Sequence, residues 1–505
     1  MTLRLYVTAF VGGLVVLALE LAAARLLAPT FGTSELIWSA IIGLILLYLS
    51  VGYVIGGRWA DRSPQPVTLY TILVGAGAAI AVIPFMARPV LNIAAQGMRT
   101  WNVGMVAGPF VGVLILFVVP VTLLACVSPF VIRLSLNDVR ASGVTAGKIY
   151  AFSTLGSFLG TFLPNLALIP LLGTRRTFLF LALLTVLLGL WGLWHADRRR
   201  CWSLAILAPL ILGLLLLNPG VVKPQAGLIY EEESTYNYIQ VVENEAGWRY
   251  LLLNEGQGIH SVYTPDQVLN GGTWDYFLIA PYFNPPPYLP EQVDSLLIIG
   301  LAAGTISTQY TAIYGPLPID GVEIDPAIIE TGRRFFDMTQ PNLNAIAADG
   351  RYFLQETEAR YDVVAVDAYR LPYIPWHLTT VEFFQEIRAC LTAEGVVAIN
   401  VGHTPEDWRL VEALVATMEQ VYPSVHIISV PDTFNAIVVA TVQPTSAENL
   451  RLNLAGLDNA RLEATAQRAY ANLTEVGAST LIFTDDRAPV ELLTDVLVLQ
   501  YVLGE

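Results

Sequence analysis

The sequence predicts an α-helical transmembrane bundle of about seven spans, followed by a small antiparallel β domain and a Rossmann-like, doubly wound α/β sheet. Three observations support this fold class. Hydrophobic residues make up 54% of the 505 residues and charged residues only 14%, far from an average soluble chain. The long apolar runs all lie in the first half, whereas the second half alternates strand-length apolar runs with helix-length segments. We therefore expect three domains, at residues 1–222, 223–290 and 291–505.

The first domain contains seven apolar stretches near or above the roughly 20 residues that a helix needs to cross a bilayer. They are Leu3–Ala28, Leu36–Gly57, Val67–Ala87, Val103–Ile132, Ala146–Leu172, Thr177–Trp194 and Trp202–Leu217. Pro120 and Pro129 predict a kink in the fourth span. Small residues in the fifth, such as Gly156 and Gly160, would allow close helix packing in lipid.

Charge is divided unequally between the two halves. Residues 1–222 hold 14 Lys+Arg and 5 Asp+Glu, a net of +9, and the remainder holds 13 and 37, a net of −24, which sum to −15. An acidic half argues against nucleic acid and is compatible with a cationic substrate, but a generic acidic soluble domain gives the same balance. Basic residues beside the spans favour a cytoplasmic N-terminus by nine to five. Seven spans then put the acidic half outside the cytoplasm, whereas a nucleoside-bearing cofactor is expected inside, so the side stays open.

Two charged residues, Glu20 and Arg25, lie inside the first span. Charges at this depth are costly and usually face the bundle interior. Two interpretations remain open: an ion pair that fixes helix packing, and a group that lines a transport or substrate path.

The segment after the spans begins with a linker. Asn218-Pro-Gly and Lys223-Pro224 are typical of turns. Leu228–Val242 and Tyr250–Leu253 then alternate in polarity, which predicts a small antiparallel sheet. A short helix is expected to begin near Gly271.

A βαβ unit at 296–325 is the central motif of the second half. The strand Leu296–Ile299 leads into the turn GLAAGT, a helix and a second strand, Ile319–Ile324, that carries Glu323. Glycines let a ligand approach the backbone, and a helix N-terminus favours polar or anionic groups. An acid about twenty residues after the first glycine can accept hydrogen bonds from two ribose hydroxyls. Because the turn is GxxxGT rather than GxGxxG, a dinucleotide is the less favoured ligand.

Polar residues and a glycine recur where the later strands end. A third strand precedes Asp349, the fourth, Tyr361–Asp367, ends on an aspartate, and Gly395–Val401 is the fifth. Ligands of such sheets bind at the carboxyl ends of the strands. We therefore expect one pocket to be lined by Gly300, Glu323, Asp349 and Asp367.

Residues 228–440 resemble spermidine synthase, a polyamine aminopropyltransferase family on a methyltransferase-type Rossmann fold. The similar segments are STYNYIQV from Ser234, IIGLAAGT, VEIDPAII, AADGRYFL and YDVVAVDAY. With PWHLTTVEFF from Pro375 and TDDRAPVE from Thr484, the chain is similar to a membrane-fused branch of that family. The resemblance implies a transferase that moves an aminopropyl group from decarboxylated S-adenosylmethionine to an amine and leaves methylthioadenosine.

The resemblance also implies roles for single residues. Glu323 would hold the ribose hydroxyls, Asp349 the adenine amino group, and Asp367 would orient the attacking amine and accept its proton, assisted by Tyr276. The other implied residues are Asn237, Gly300, Gly304 and Gly350 for the cofactor, and Tyr236, Tyr369 and His377 for the substrate. No metal is implied. The expected partners are a cationic polyamine or amine and the lipid bilayer, and a homodimer is one open arrangement.

Two positions depart from the family pattern. The family usually carries an aspartate in the glycine turn, where it pairs with the aminopropyl ammonium, and this chain has Ala303. A second acid of the catalytic loop is replaced near Arg370, which would repel a cationic polyamine. Both departures leave ribose and adenine binding intact. Both weaken the standard aminopropyl-transfer interpretation, and Ala303 favours a second hypothesis, a methyl- or alkyltransferase that uses S-adenosylmethionine.

Structural alternatives stand beside these roles. Asp349 could belong to a plain turn, Asp367 could cap a helix, and His377 could be structural. Asp485 and Asp486 could cap or brace the C-terminal helix. A third functional hypothesis is a transporter or sensor that binds a polyamine or thionucleoside without turnover.

Overall fold

The computed structural model describes residues 2–31, 35–101, 107–136, 142–217, 225–254, 258–369, 373–454 and 456–503. It divides into two compact units. The first comprises Met1–Pro224 and Glu231–Tyr238, and the second comprises Gln225–Tyr230 and Ile239–Glu505. Each unit has its own hydrophobic core.

The first unit is built from helices. They are α1 (Thr2–Phe31), α2 (Glu35–Arg62), α3 (Pro66–Trp101), α4 (Ala107–Ala125), α5 (Val127–Ser135), α6 (Ser142–Leu163), a π-helical turn (Pro164–Leu168), α7 (Ile169–Leu172), α8 (Thr174–Ala196), α9 (Arg198–Leu204) and α10 (Leu207–Leu217). Seven helical stretches of the described chain are long and apolar enough to cross a membrane, judged by length and composition. The predicted number of long apolar helices is therefore confirmed, with ends that differ by up to seven residues from those predicted.

The predicted kink in the fourth span is an interruption of the helix. The helix α4 ends at Ala125 and α5 begins at Val127, so the break falls at Cys126. Pro129 explains its position. A proline has no N–H to donate and its ring conflicts with the carbonyl four residues earlier, here that of Ala125.

The small residues of the fifth span allow α1 and α6 to pack closely. A Cβ atom at Gly156 would lie 1.9 Å from the carbonyl oxygen of Phe10, and one at Gly160 would lie 2.2 Å from that of Leu14. Any larger side chain would push the two backbones apart, which is why such interfaces favour glycine.

Arg25 clamps a turn that belongs to the same unit. Its guanidinium donates hydrogen bonds to the carbonyl oxygens of Ser234 (2.6 Å), Tyr236 (3.1 Å) and Thr235. The adjacent carboxylate of Glu233 accepts a hydrogen bond from the backbone N–H of Thr174 at 2.7 Å. These contacts favour the packing interpretation of Arg25 over a transport path.

Replacing Arg25 with Met should release this turn. The variant loses three hydrogen bonds from a charged donor, each contributing about 1.5–3 kcal/mol in general. We expect backbone amides of residues 231–238 to exchange with deuterium at least about tenfold faster, measured on the detergent-solubilised chain. The same change at the exposed Arg58 is the matched control. Equal exchange in the two variants would contradict the clamp.

A small four-stranded sheet follows the helices along the chain. Its strands are β1 (Leu228–Glu233), β2 (Tyr238–Glu243), β3 (Arg249–Leu253) and β4 (Ile259–Tyr263), in the order β1-β2-β3-β4. The pairs β2–β3 and β3–β4 are antiparallel, as predicted. A 3₁₀ helix, Thr273–Phe283, follows where a short helix was expected.

A larger sheet forms the centre of the second unit. Its strands are β5 (Leu296–Ile299), β6 (Ile319–Glu323), β7 (Leu343–Ala347), β8 (Tyr361–Val366), β9 (Leu391–Gly402), β10 (Ser424–Ser429), β11 (Asn435–Thr441) and β12 (Leu473–Thr474). Their order is β12-β10-β11-β9-β8-β5-β6-β7. The strands from β7 to β9 are parallel, and β11, β10 and β12 extend the sheet antiparallel.

The antiparallel edge was not predicted. The chain between β10 and β11, residues 430–434, is too short for the crossover of a dozen or more residues that parallel strands require. These two strands therefore form a hairpin. The prediction of a doubly wound Rossmann-like sheet holds for the five parallel strands, which carry the candidate site.

Helices cover both faces of this sheet. They are α11 (Thr305–Tyr314), α12 (Pro326–Phe335), α13 (Gly350–Glu356), α14 (Val381–Cys390), α15 (Arg409–Met418), α16 (Ala447–Leu454), α17 (Ala460–Ala471) and α18 (Val490–Leu503). Along β5, Leu296 and Ile298 enter one hydrophobic cluster, and Leu297 and Ile299 enter another. Burial on both faces explains why this strand is a continuous apolar run.

Candidate active site

The sheet has a topological switch point between β5 and β8. From β5 the chain moves to β6 and β7 on one side, and then returns to β8 and β9 on the other. Open α/β sheets bind ligands outside the carboxyl ends of the strands at this point. Gly300 follows β5 and Asp367 follows β8, and the N–H of Asp367 donates to the carbonyl of Ile299 at 2.9 Å.

Gly300 is required by conformation and by space. Its φ is +90°, a left-handed value that favours glycine. A Cβ atom there would lie 2.6 Å from the carbonyl oxygen of Asp367. The turn therefore brings its backbone directly against the end of β8. Gly304 also has a positive φ, +89°, and the space beside it is filled by Met338.

Glu323 is a buried carboxylate at the end of β6, with 8% of its surface exposed. One oxygen accepts a hydrogen bond from the N–H of Ala302 at 3.0 Å, and the other accepts one from the N–H of Asp325 at 3.2 Å. Burial raises the pKa of Glu323 to about 7, and these backbone hydrogen bonds oppose the shift. The orientation of the carboxylate is therefore fixed by one backbone N–H from the glycine turn and one from the residues after β6.

Asp367 is held by two side chains from distant parts of the chain. Its Oδ2 accepts a hydrogen bond from the indole Nε1 of Trp274 at 2.9 Å, and its Oδ1 accepts one from Nδ2 of Asn400, also at 2.9 Å. Burial raises the pKa of Asp367 to about 6, and both hydrogen bonds oppose that shift. Because these bonds are its described side-chain contacts, Asp367 is not a helix cap, and its carboxylate plane is fixed.

Trp274 and Asn400 were missed by the sequence analysis. Asn400 interrupts the apolar run of β9 and is 8% exposed, so its polarity within that run was a signal. Its Oδ1 is buried without a hydrogen-bond partner among the described residues. Trp274 carried no comparable signal in the sequence.

Tyr276, the residue expected to assist Asp367, lies in the hydrophobic core of the second unit, and its assisting role stays a prediction. It is 1% exposed and belongs to a hydrophobic cluster with Phe277 and Tyr310. The described hydrogen bonds of Asp367 do not include it. The 3₁₀ helix directs the side chain of Trp274, two residues earlier, toward Asp367.

Asp349 caps a helix. Its Oδ1 accepts hydrogen bonds from the N–H groups of Arg351 (2.9 Å) and Tyr352 (3.0 Å) at the start of α13. Its Oδ2 lies 3.7 Å from Nε2 of His377. A Cβ atom at Gly350 would lie 2.5 Å from the side chain of Ile299, so this glycine brings α13 against β5.

Asp485 braces helices other than the C-terminal one. It forms an ion pair with Arg351 of α13 at 2.7 Å and accepts a hydrogen bond from Thr380, the N-cap of α14, at 2.8 Å. Arg351 also pairs with Glu386 of α14 at 2.8 Å. The expectation that Asp485 supports the C-terminal helix is therefore replaced by a clamp between α13 and α14.

The remaining predicted residues fall in three places. The hydroxyl of Tyr369 donates to the carbonyl of Asn400 at 3.2 Å, which puts it beside the Asp367 cluster. Tyr236 and Asn237 lie in the turn that belongs to the first unit, and their implied roles stay predictions. Arg370 lies outside the described residues.

Ala303 occupies the position where the resemblance expects an acid. It is 1% exposed and packs with Ile328 and Phe336 in an apolar cluster. Its N–H donates to Oγ of Ser261 at 2.9 Å. The described part of the glycine turn therefore supplies backbone donors and apolar contacts but no carboxylate of its own.

Comparison with known proteins is consistent with this geometry. Residues 291–452 match the family model of the spermine/spermidine synthase domain. The chain is 30% identical over 287 residues to a probable polyamine aminopropyl transferase of Bifidobacterium longum, covering 53% of this chain and 63% of that relative. It is 28% identical over 236 residues to a polyamine aminopropyltransferase of Vibrio vulnificus, covering 45% and 75%.

A third relative comes from a different group of transferases. The chain is 26% identical over 172 residues to the human eEF1A lysine and N-terminal methyltransferase, covering 32% of this chain and 24% of that one. Residues 291–452 thus match the spermine/spermidine synthase domain, and the C-terminal part of the chain is similar to polyamine aminopropyltransferases, in agreement with the resemblance.

Proposed function

We propose that the chain is an integral membrane aminopropyltransferase, which transfers an aminopropyl group from decarboxylated S-adenosylmethionine to an amine. The observation that carries this proposal is the fixed carboxylate of Asp367 at the switch point of a spermidine synthase domain. The seven apolar helices support integration in a membrane. The side of the membrane on which the synthase domain lies is left open.

The described residues fit an adenosine-type substrate. The N–H groups of Ala302 and Asp325 each bind a different oxygen of Glu323, and in this proposal the remaining lone pairs accept hydrogen bonds from the ribose hydroxyls. Oδ1 of Asp349 receives both capping N–H groups, which leaves Oδ2 able to accept a hydrogen bond from an adenine amino group. In this proposal Gly300 lets the nucleoside approach the backbone of the switch point.

The chemistry assigned to Asp367 follows from the charge state of the amine. An ammonium has no free electron pair, so its proton must leave before it can attack. The free amine then forms a C–N bond with the carbon beside the sulfonium, the C–S bond breaks, and its electron pair stays on sulfur. The products are methylthioadenosine and the extended amine. A carboxylate with a pKa of about 6 is mostly ionised at neutral pH, so it can hold the amine and take its proton.

A second function, alkyl transfer from S-adenosylmethionine itself, is favoured by Ala303. An acid at this position would repel the carboxylate that S-adenosylmethionine carries and its decarboxylated form lacks, and the buried, apolar Ala303 removes that repulsion. The similarity to a human methyltransferase supports the same alternative.

Product analysis distinguishes the two functions. The purified full-length chain is incubated with decarboxylated S-adenosylmethionine or S-adenosylmethionine and a panel of amines, and the thionucleoside product is identified by mass spectrometry. Methylthioadenosine is the expected product. S-adenosylhomocysteine would replace the proposal with the second function. Neither product, together with polyamine flux into liposomes, would favour a transporter or sensor.

A further inference from the structure

A second buried carboxylate, that of Asp275, lies next to Trp274 and takes no direct part in the proposed transfer. It is fully buried. It accepts hydrogen bonds from the N–H groups of Gly271 (2.8 Å) and Asn270 (3.3 Å). Within the same turn, the N–H of Gly272 donates to Oδ1 of Asn270 at 2.8 Å. The carboxylate thus closes the turn that precedes Trp274.

The same carboxylate ties this turn to two helices. Nε2 of Gln309 in α11 donates to Asp275 at 2.8 Å. The guanidinium of Arg468 in α17 lies 3.8 Å from Oδ2 of Asp275, and its side chain is half exposed. A buried carboxylate is costly unless its oxygens are satisfied, and here both oxygens are used. The turn before Trp274 is therefore anchored from three directions.

Trp274 connects the anchored turn to the candidate site. Its backbone directly precedes Asp275, and its indole N–H reaches Oδ2 of Asp367 at 2.9 Å. We infer that Asp275 is a positioning residue that acts through Trp274 on Asp367, so that the buried network around Asp275 sets the orientation and the hydrogen bonding of the proposed base. The inference rests on the proposed function only for the role of Asp367 as a base.

Among the described residues, few charged groups other than those of the network face Asp367 or Asp275 and could shift their pKa values. Asp367 faces the phenol of Tyr369 on its own segment, the neutral amide of Asn400 on β9 and the indole of Trp274. Asp275 faces Arg468 and the phenol of Tyr276. Loss of the Asp275 network should therefore change the pKa of Asp367 by moving the indole of Trp274, which donates a hydrogen bond to it.

The test measures the ¹⁹F resonance of the Trp274 indole, which does not depend on turnover. The full-length chain is labelled with 5-fluorotryptophan, and Trp274→Phe identifies the ¹⁹F resonance of Trp274. In the wild-type protein this resonance should titrate with a midpoint near pH 6, and Asp367→Asn should abolish the titration. Asp275→Asn replaces an acceptor oxygen by an NH₂ group that meets backbone N–H donors. We expect the Trp274 resonance to move and its midpoint to rise by about one pH unit, because a carboxylate that loses a donor is harder to ionise.

Two further variants keep the inference testable if Asp275→Asn does not fold. Gln309→Met removes one donor of the network and should shift the midpoint in the same direction by a smaller amount. Arg468→Gln removes only the distant, half-exposed partner and should leave the midpoint unchanged. An unchanged resonance and midpoint in Gln309→Met, or in a folded Asp275→Asn, would overturn the inference. A coupled titration in a protein that forms no transfer product would uphold it and reject the proposed function instead.

Discussion

Replacing Asp367 with Asn should lower kcat for amine transfer by about 10²–10⁴-fold, with methylthioadenosine affinity within a few-fold of wild type. Positioned acid–base groups typically contribute a rate factor of this size. The amide cannot take the proton of the attacking ammonium, so the nucleophile stays blocked. The nucleoside is bound at other strand ends in the proposal, so its affinity should not depend on this carboxylate. Steady-state kinetics and calorimetry measure the two quantities separately.

The fold should tolerate this substitution because Asn400 can adapt to it. In the wild-type protein Nδ2 of Asn400 donates to Asp367, and Oδ1 of Asn400 is buried without a described partner. If the amide of Asn400 rotates, its Oδ1 can accept a hydrogen bond from the new amide at position 367. The single oxygen of the new amide still accepts from the indole N–H of Trp274. A loss of turnover in the variant therefore reports on chemistry and not on unfolding.

The pH dependence of kcat/KM, which reports ionisation in the free enzyme, gives the same assignment a second test. The pKa of Asp367 is raised to about 6, so its ionised form accumulates as the pH rises through 6. The ratio kcat/KM should increase over that range and level off above it. Asp486→Asn, at an exposed aspartate, is the matched control and should retain both the rate and the profile. Undiminished turnover in Asp367→Asn would remove Asp367 from its role as base.

The parallel strands could be predicted from sequence because burial on both faces leaves a clear pattern. Leu296–Ile299 was predicted with the bounds that the structure shows, and the second strand differs by one residue at its end. The hairpin of β10 and β11 was not predicted, since its pairing depends on which strand of the sheet it meets. The number of long apolar helices was also predictable, because a long apolar run can be recognised from the local sequence alone.

The candidate site was predictable where it depends on strand ends and not where it depends on side-chain direction. Glu323 and Asp367 follow strands, so topology alone brings them to one edge of the sheet. Trp274 reaches that edge from a 3₁₀ helix, in which each residue turns the side chain by about 120°. An error of two positions therefore points to a different side of the helix. That is the difference between Tyr276, which is in the core, and Trp274, which contacts Asp367.

The contact of Arg25 illustrates a second limit. Its acceptors lie 209 to 211 positions away, and they are backbone carbonyls that carry no side-chain signature. The sequence could show that a charge in an apolar span needs partners. It could not show that those partners are in a turn beyond the last span.

Replacing Glu323 with Gln should weaken the binding of methylthioadenosine by about 30- to 100-fold. Hydrogen bonds to a charged acceptor contribute about 1.5–3 kcal/mol each, and a tenfold change in affinity corresponds to about 1.4 kcal/mol. The amide keeps one acceptor oxygen, but its NH₂ group faces either the N–H of Ala302 or that of Asp325. One ribose hydroxyl and one backbone donor therefore lose their acceptor. Isothermal calorimetry on the full-length chain measures the change, with Glu330→Gln on the exposed side of α12 as the control.

The sign of the pH effect separates this role from a purely structural one. In the nucleoside-free protein the pKa of Glu323 is raised to about 7, so below that pH the carboxyl is mostly protonated and one oxygen is no longer a free acceptor. Two ribose hydroxyls bind best to the ionised form, so wild-type affinity should rise between about pH 6 and pH 8 and then level off. The Gln variant has no such group and should bind weakly with little change over the same range. Wild-type affinity that does not vary with pH, or a variant that binds as tightly as wild type, would contradict ribose recognition by Glu323.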